Sequence, residues 1–414
     1  MGNVVSVQTK VDGKMIAAIW SVSILINLTG LAITPSLPAI QKQFSGVGRT
    51  EIDMLVSLPM LLMIPFVVIA GKLVQSRNAA RFIQIGTTVF IAAAVAYQLA
   101  NTIDVLLLIS LLLGLGAGMV VPLAAQLPSR VFTGLELQRQ MGICAGISNS
   151  SQVAVTFLAG WLATISWHYS FGVYLLAVVP LVLSPFLRLK SLHKEQPSAN
   201  ADSTSIPQAD TSWFNKEHLV LLMLLYFTVM FFNLQIPICL PFLLAHHGLN
   251  TETGGTLVAI FFMVQAVSAF FISNVIRSLR KKTMVFAVTM IATSLLLFPL
   301  VTNEIFYYIL AALAGITGGI IEPLVWNKTA KVASPQKSTL AFGWLMSANY
   351  FSVWATPYIL AFFSKIFNDD LSTFPFYLAG AVAIAFAIFL LFSQNKAIFG
   401  MKNEVALLNI QKNK

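Results

Sequence analysis

Charged residues punctuate this chain at intervals that leave long uncharged runs, and those runs decide what it can fold into. Such runs separate Lys14 from Lys42, Asp53 from Lys72, Arg81 from Asp104 and Asp104 from Arg130. Others separate Glu252 from Arg277, Lys282 from Glu304, Lys337 from Lys365 and Asp370 from Lys396. Each approaches the roughly 20 residues that a helix needs to cross hydrocarbon. Arg139 to Arg188 is long enough for two crossings, broken by Ser166-Trp167-His168-Tyr169. Glu217 to Glu252 holds one crossing and then the turn His246-His247-Gly248, and Glu304 to Lys328 holds another, containing Glu322. The pattern predicts an all-α membrane protein of twelve transmembrane helices. Only 10% of the chain is charged, against roughly 25% in a soluble domain, so lipid rather than water must solvate much of it.

Basic residues accumulate at the cytoplasmic ends of membrane helices. Assigning tails and alternate loops to one side places 22 of the 25 Lys and Arg residues there and leaves only Lys42, Arg49 and Lys365 opposite. Both termini are therefore expected in the cytoplasm of a cell whose plasma membrane holds the chain. Short loops suit a bacterial inner membrane. The net charge of +10 is this asymmetry and gives no reason to expect nucleic acid. Cys144 and Cys239 fall within spans, so no disulfide framework is implied. The first apolar run is too long for a signal-peptide core.

Between Lys190 and Lys216 the composition turns to Ser, Pro, Asp and Asn, which cannot form a core. The expected organisation is a six-helix half at 1–188, a cytoplasmic linker at 189–216, a second six-helix half at 217–394 and a tail at 395–414. The halves repeat: Gly114, Gly118 and Pro122 in the fourth span recur at an offset of 201 as Gly315, Gly319 and Pro323 in the tenth, and Gly142 recurs as Gly343. An even number of spans per half makes this a parallel repeat about an axis along the membrane normal.

Six plus six spans, a central cytoplasmic linker and a short basic second-to-third loop resemble the major facilitator superfamily. Leu37-Pro38-Ala39-Ile40 closing the first span and Trp167-His168-Tyr169-Ser170-Phe171 opening the sixth resemble its drug:proton antiporter branch. The resemblance implies two pseudo-symmetric bundles that rock about a central cavity. It also implies a conformational role for the loop that begins at Gly71 and carries Arg77 and Arg81. Gln75 stands where that family places Asp, Ser110 where many proton-coupled members place Arg, and Val155-Thr156 where antiporters place Gly-Pro.

Polar groups inside spans are costly unless they face a cavity or a partner. Glu322 is the one acidic residue that this reading places within a span; it is the candidate for taking up a proton or holding a cationic solute, with an interfacial role near Lys328 as the alternative. Pro323 beside it frees a backbone carbonyl one turn back. Asn27 in the first span and Asn233 and Gln235 in the seventh lie at matching depths. The run Ser148-Asn149-Ser150-Ser151-Gln152 makes Asn149 and Gln152 candidates on one face of the fifth span. Asn349 and Tyr350 in the eleventh suit an aromatic or lipophilic solute. For each amide the competing reading is an interhelical hydrogen bond, worth about 0.6 kcal/mol in a membrane. Gln265 and Gln126 are weaker candidates. Thr50-Glu51-Ile52-Asp53 reads as a capping box. His246-His247 has too few neighbouring ligands for a metal site, and no cofactor is expected.

The leading reading is a monomeric secondary active transporter exporting a small lipophilic or weakly cationic solute against protons. The alternatives are uptake or exchange of a small metabolite and, more remotely, a membrane sensor. No nucleotide-binding motif is present to use ATP, and no nucleophile–base pair or metal motif within the spans suits an intramembrane enzyme.

Overall fold

In hydrocarbon every backbone N–H and C=O must find its partner within the protein, so apolar spans of this length become helices. The computed structural model describes residues 12–75, 79–132, 134–187, 215–332, 335–367, 372–396 and 398–401. Arg77 and most of the expected linker lie outside the described residues. The helices in chain order are α1 in two pieces (Gly13–Ile26 and Leu31–Gln43), α2 (Arg49–Gln75), α3 (Ala79–Tyr97), α4 (Ile103–Val131), α5 (Gly134–Ile165) and α6 (Trp167–Phe186). The second set is α7 (Lys216–His246), α8 (Thr251–Phe270), α9 (Thr283–Leu297), α10 (Glu304–Ala330), α11 (Pro335–Phe367) and α12 (Phe374–Phe392). A short helix, Ile272–Leu279, joins α8 to α9.

Among the described residues nine helices are long and apolar enough to cross a membrane, ten when bent α1 counts as one. The remaining two are α5 and α11, 32 and 33 residues long. They are more polar, α5 through Ser148–Gln152 and α11 through its Ser, Thr and Asn residues. Alternation of the twelve helices brings the last described residues back to the end of the bundle where α1 starts. This is the terminal end; the opposite one is the far end.

The repeated glycines act alike in both bundles. A Cβ on Gly114 would stand 2.5 Å from Pro59 Cα of α2, and one on Gly118 would stand 2.7 Å from the Phe66 ring. Their counterparts do the same against α8: a Cβ on Gly315 would lie 2.5 Å from the Phe261 carbonyl oxygen, and one on Gly319 would strike Ser268 and the Gln265 carbonyl. The third side of the contact also repeats. Gly116 packs on Gly86 of α3, while Thr317, 201 residues on, donates its hydroxyl to the Ala287 carbonyl of α9 at 2.7 Å. Small residues let membrane helices approach closely where no hydrophobic force drives them together. Gly142 and Gly343 do not match in this way: Gly142 faces open space, whereas Gly343 lies against Val67 of α2.

The bundles meet where α2 runs along α11 and α5 along α8. Near the far end the α5 and α8 backbones touch at Gly160 and Gly255, where a Cβ on the former would lie 2.7 Å from the latter's Cα. The uncharged run from Lys14 to Lys42 reads as one continuous span, but α1 is broken. Its two pieces meet at 46° across Asn27-Leu28-Thr29-Gly30. Gly30 has φ +77° and would bring a Cβ to 2.9 Å from the Val56 carbonyl oxygen, so backbone conformation and space both demand glycine.

Beyond α12 the chain turns under the bundle. Lys328 at the end of α10 is 4% exposed and donates to the carbonyls of Ile398 and Gly400. Phe399 packs edge-on against Phe389, and Met401 is fully buried.

Candidate functional site

Three helices of the second bundle converge on Glu322. It is half-buried on α10, about two turns before the helix ends. The hydroxyl of Tyr226, on α7, donates to Glu322 Oε1 at 2.9 Å, and the side-chain amide of Gln265, on α8, donates to Oε2 at 3.1 Å. Both carboxylate oxygens are thus held by neutral donors. No cation pairs with Glu322 among the described residues; Lys328 donates instead to main-chain carbonyls of Ile398 and Gly400. The Trp326 indole and Tyr350 of α11 both lie near Tyr226, and Trp326 is 42% exposed. A carboxylate bonded to a tyrosine hydroxyl, with further aromatic rings near that tyrosine, can hold a proton, or can hold an organic cation through charge and ring faces together.

The first bundle brings together a different pair. At the break in α1, Asn27 donates its amide to Asn149 Oδ1 of α5 at 3.2 Å, and both are half-buried. Asn349 of α11 is also half-buried and makes no hydrogen bond among the described residues.

Other expected site residues turn away. Gln152 is 4% exposed and donates to Thr156 of its own helix at 3.1 Å. Gln235 is fully buried, donating to the Phe231 carbonyl at 2.7 Å and accepting from Cys239. Asn233, 6% exposed, donates to the Val229 carbonyl, and its Oδ1 has no partner among the described residues. Gly71 lies in the last turns of α2, and Arg81 is exposed at the start of α3. Ser110, where an arginine was the family expectation, is buried and bonded to Tyr97 at 2.7 Å.

Two sequence readings need correction. Glu322 is not the one buried acid: Asp53, inside α2, is 3% exposed and pairs with Arg49 at 3.6 Å. Counting the uncharged run from Asp53 onward hid it, although an Arg and an Asp four residues apart at a span's start were visible. Thr50 caps nothing, because α2 already begins at Arg49 and the Gly48 carbonyl accepts its first bonds. Tyr226 was also missed. Its signal was a position seven residues before Asn233, hence on the same helix face.

This chain matches the family model described as "Major Facilitator Superfamily" over residues 19–254 and 221–398. It belongs to the Major Facilitator Superfamily. Membership makes it a multi-pass membrane protein and a secondary transporter of a small solute rather than an enzyme. A curated relative of this Major Facilitator protein, the multidrug transporter protein MdtP of Bacillus subtilis (strain 168), is 25% identical over 166 residues. That match takes in 40% of this chain and 29% of MdtP, so it spans under a third of the relative's length. Among solved structures, a peptide transporter POT in complex with sulfate superposes with a TM-score of 0.73 at 13% identity, covering 94% of this chain and 96% of that one. A nucleoside transporter, NupG, gives 0.68 at 13% identity, with 91% and 98% covered. At such identity these likenesses establish the fold alone.

Proposed function

We propose that this transporter exports a lipophilic or weakly cationic organic solute in exchange for protons, with Glu322 as the group that a proton and the solute occupy by turns. The observation that carries this reading is the Glu322 carboxylate itself, half-buried and, among the described residues, bonded only to Tyr226 and Gln265 with no cation beside it. Such a charge in a low-dielectric setting calls for neutralisation, and here only a proton or a cationic solute would supply it. Asn27 and Asn149 supply neutral donors and acceptors from the opposite bundle, and Asn349 and Tyr350 add an amide and a ring from α11. The partial likeness to a multidrug transporter supports export.

In this reading residues 1–188 and 217–394 rock as two bodies about the linker 189–216. Both termini face the cytoplasm, as the 22-to-3 split of basic residues supports. The Gly71–Arg81 loop then lies on the cytoplasmic side and the far end faces outward.

The test is dye movement in proteoliposomes under an imposed pH gradient, with ethidium as the probe. The gradient is expected to accelerate ethidium flux in the wild type, to have no effect in Glu322→Gln, and to retain part of its effect in Glu322→Asp. Wild-type flux indifferent to the gradient would refute proton coupling. A Glu322→Gln protein that still responds would move the coupling site elsewhere.

A further inference from the structure

At the far end of α2 lies a charged cluster that solute recognition does not use. Arg49 and Asp53 occupy successive turns of α2, and their side chains are 11% and 4% exposed. The Arg49 guanidinium sits 4.0 Å above the ring of Phe242, which belongs to α7 in the other bundle. The thiol of Cys239, one turn back on α7, lies within reach of the same guanidinium and is fully buried. Glu51 and Met54, on the other flank of the same stretch of α2, instead line a groove toward α11. Arg49 and Asp53 thus form the α2 face turned to α7.

We propose that Arg49, Asp53 and Phe242 form a latch that closes the solute path at the far end by joining the two bundles. Arg49 supplies the contact that crosses between bundles, stacking its planar cation on the Phe242 face. Asp53 is a positioning residue that aims Arg49 from within its own helix.

The pair is poorly made for stability alone. Its separation of 3.6 Å is long for a charged hydrogen bond, and Asp53 Oδ1 has no hydrogen-bond partner among the described residues. A buried ion pair whose desolvation is incompletely compensated adds little net stability. The same imperfection lowers the barrier to opening, because both ions recover hydration as soon as α2 and α7 part. Closure is then held by the stacking on Phe242, and opening is favoured by water: a two-state element of the kind alternating access needs. Gly160 and Gly255, touching backbone to backbone near the same end, give the bundles a second contact about which to rock. Pro237 and Pro241, either side of Cys239, let the far end of α7 bend away.

Cys239 makes the latch measurable. The chain has two cysteines, Cys144 and Cys239, so Cys144→Ser leaves one thiol beneath the latch. The full chain in proteoliposomes is treated with a membrane-impermeant maleimide and the labelling rate of Cys239 is followed. Phe242→Leu and Asp53→Asn are each expected to raise that rate about tenfold, the fold-change that loss of a desolvated cation–ring contact implies. Asp53→Glu should restore slow labelling, and Arg49→Lys, which keeps charge but loses the planar face, should fall between. Thermal unfolding of each variant separates a latch from a merely structural role. The latch predicts faster labelling at an unchanged Tm, and faster labelling only in step with a falling Tm overturns it. Labelling unchanged in both Phe242→Leu and Asp53→Asn overturns it as well. The readout is independent of solute, so it succeeds or fails separately from proton exchange at Glu322.

Discussion

The two bundles share their backbone contacts and differ in their polar chemistry. In each, a pair of glycines four residues apart seats its fourth helix on its second: Gly114 and Gly118 against α2, Gly315 and Gly319 against α8. At the sites themselves the first bundle pairs two neutral amides, Asn27 and Asn149, while the second surrounds one carboxylate with Tyr226 and Gln265. Duplication preserved what positions helices and freed what they present. An asymmetric site suits a transporter that must handle a solute and a driving ion together, because identical halves would offer each the same chemistry twice.

The sharpest way to break the comparison is through the glycines. Gly319→Ala drives a methyl group into Ser268 and the α8 backbone, which can yield only by moving the helix. A loss of about 3 kcal/mol, or no folded protein, is expected. Gly118→Ala meets the edge of the Phe66 ring, which can turn, so a smaller drop of about 1 kcal/mol is expected. Gly142→Ala, facing open space, should leave thermal stability unchanged or slightly raised. Similar Tm values for Gly118→Ala and Gly319→Ala would mean that the two contacts are equally pliant.

Transport sharpens the chemical side. Glu322→Gln should lower gradient-driven ethidium flux by about a hundredfold, a loss typical of removing an essential proton-transfer group. Asn149→Ala should lower it only about threefold, the scale of one neutral membrane hydrogen bond. Comparable losses in the two variants would remove the division of labour between the bundles. A double-mutant cycle on Asn27 and Asn149, read by thermal unfolding, should return a coupling of about 0.6 kcal/mol.

The smallest effect lies at the far end of α7. Burial and the neighbouring His246 push His247 below its ordinary value of 6.5. An unfolded chain therefore takes up that proton more readily than the folded one. The stability that neutral His247 contributes is present above 6.5 and is lost as the pH falls through it toward the lower folded value. A slight fall in Tm on acidification across that window, diminished in His247→Gln, is the expected result.

Much of the fold was legible because lipid penalises charge so heavily that every basic turn advertises a helix end. The glycine repeat was legible for a related reason: backbones approach closely only where side chains vanish. The site was legible only in part. Glu322 stood out by its rarity, Asn27 by its depth, and Asn149 by the polar run around it. Nothing in the residue types distinguishes Asn149, which reaches α1, from Gln152, which folds back on Thr156, because that choice belongs to rotamers and to the neighbouring helix. Gln265 looked a minor candidate until α8 was seen pressed against Gly318, whose missing side chain admits its amide to Glu322. The break in α1 depends on one positive φ at Gly30, and many membrane glycines carry no such angle.

The turn that follows α12 changes how the end of this protein should be handled. Residues 398–401 close the underside of the second bundle, with Met401 sealed inside and the ammonium of Lys328 donating to two of their main-chain oxygens. Cutting the chain ahead of Ile398 would strip a sequestered cation of both acceptors and open a hole beneath α10 and α12. An affinity handle or fluorescent fusion therefore belongs after Met401, where it leaves these contacts in place.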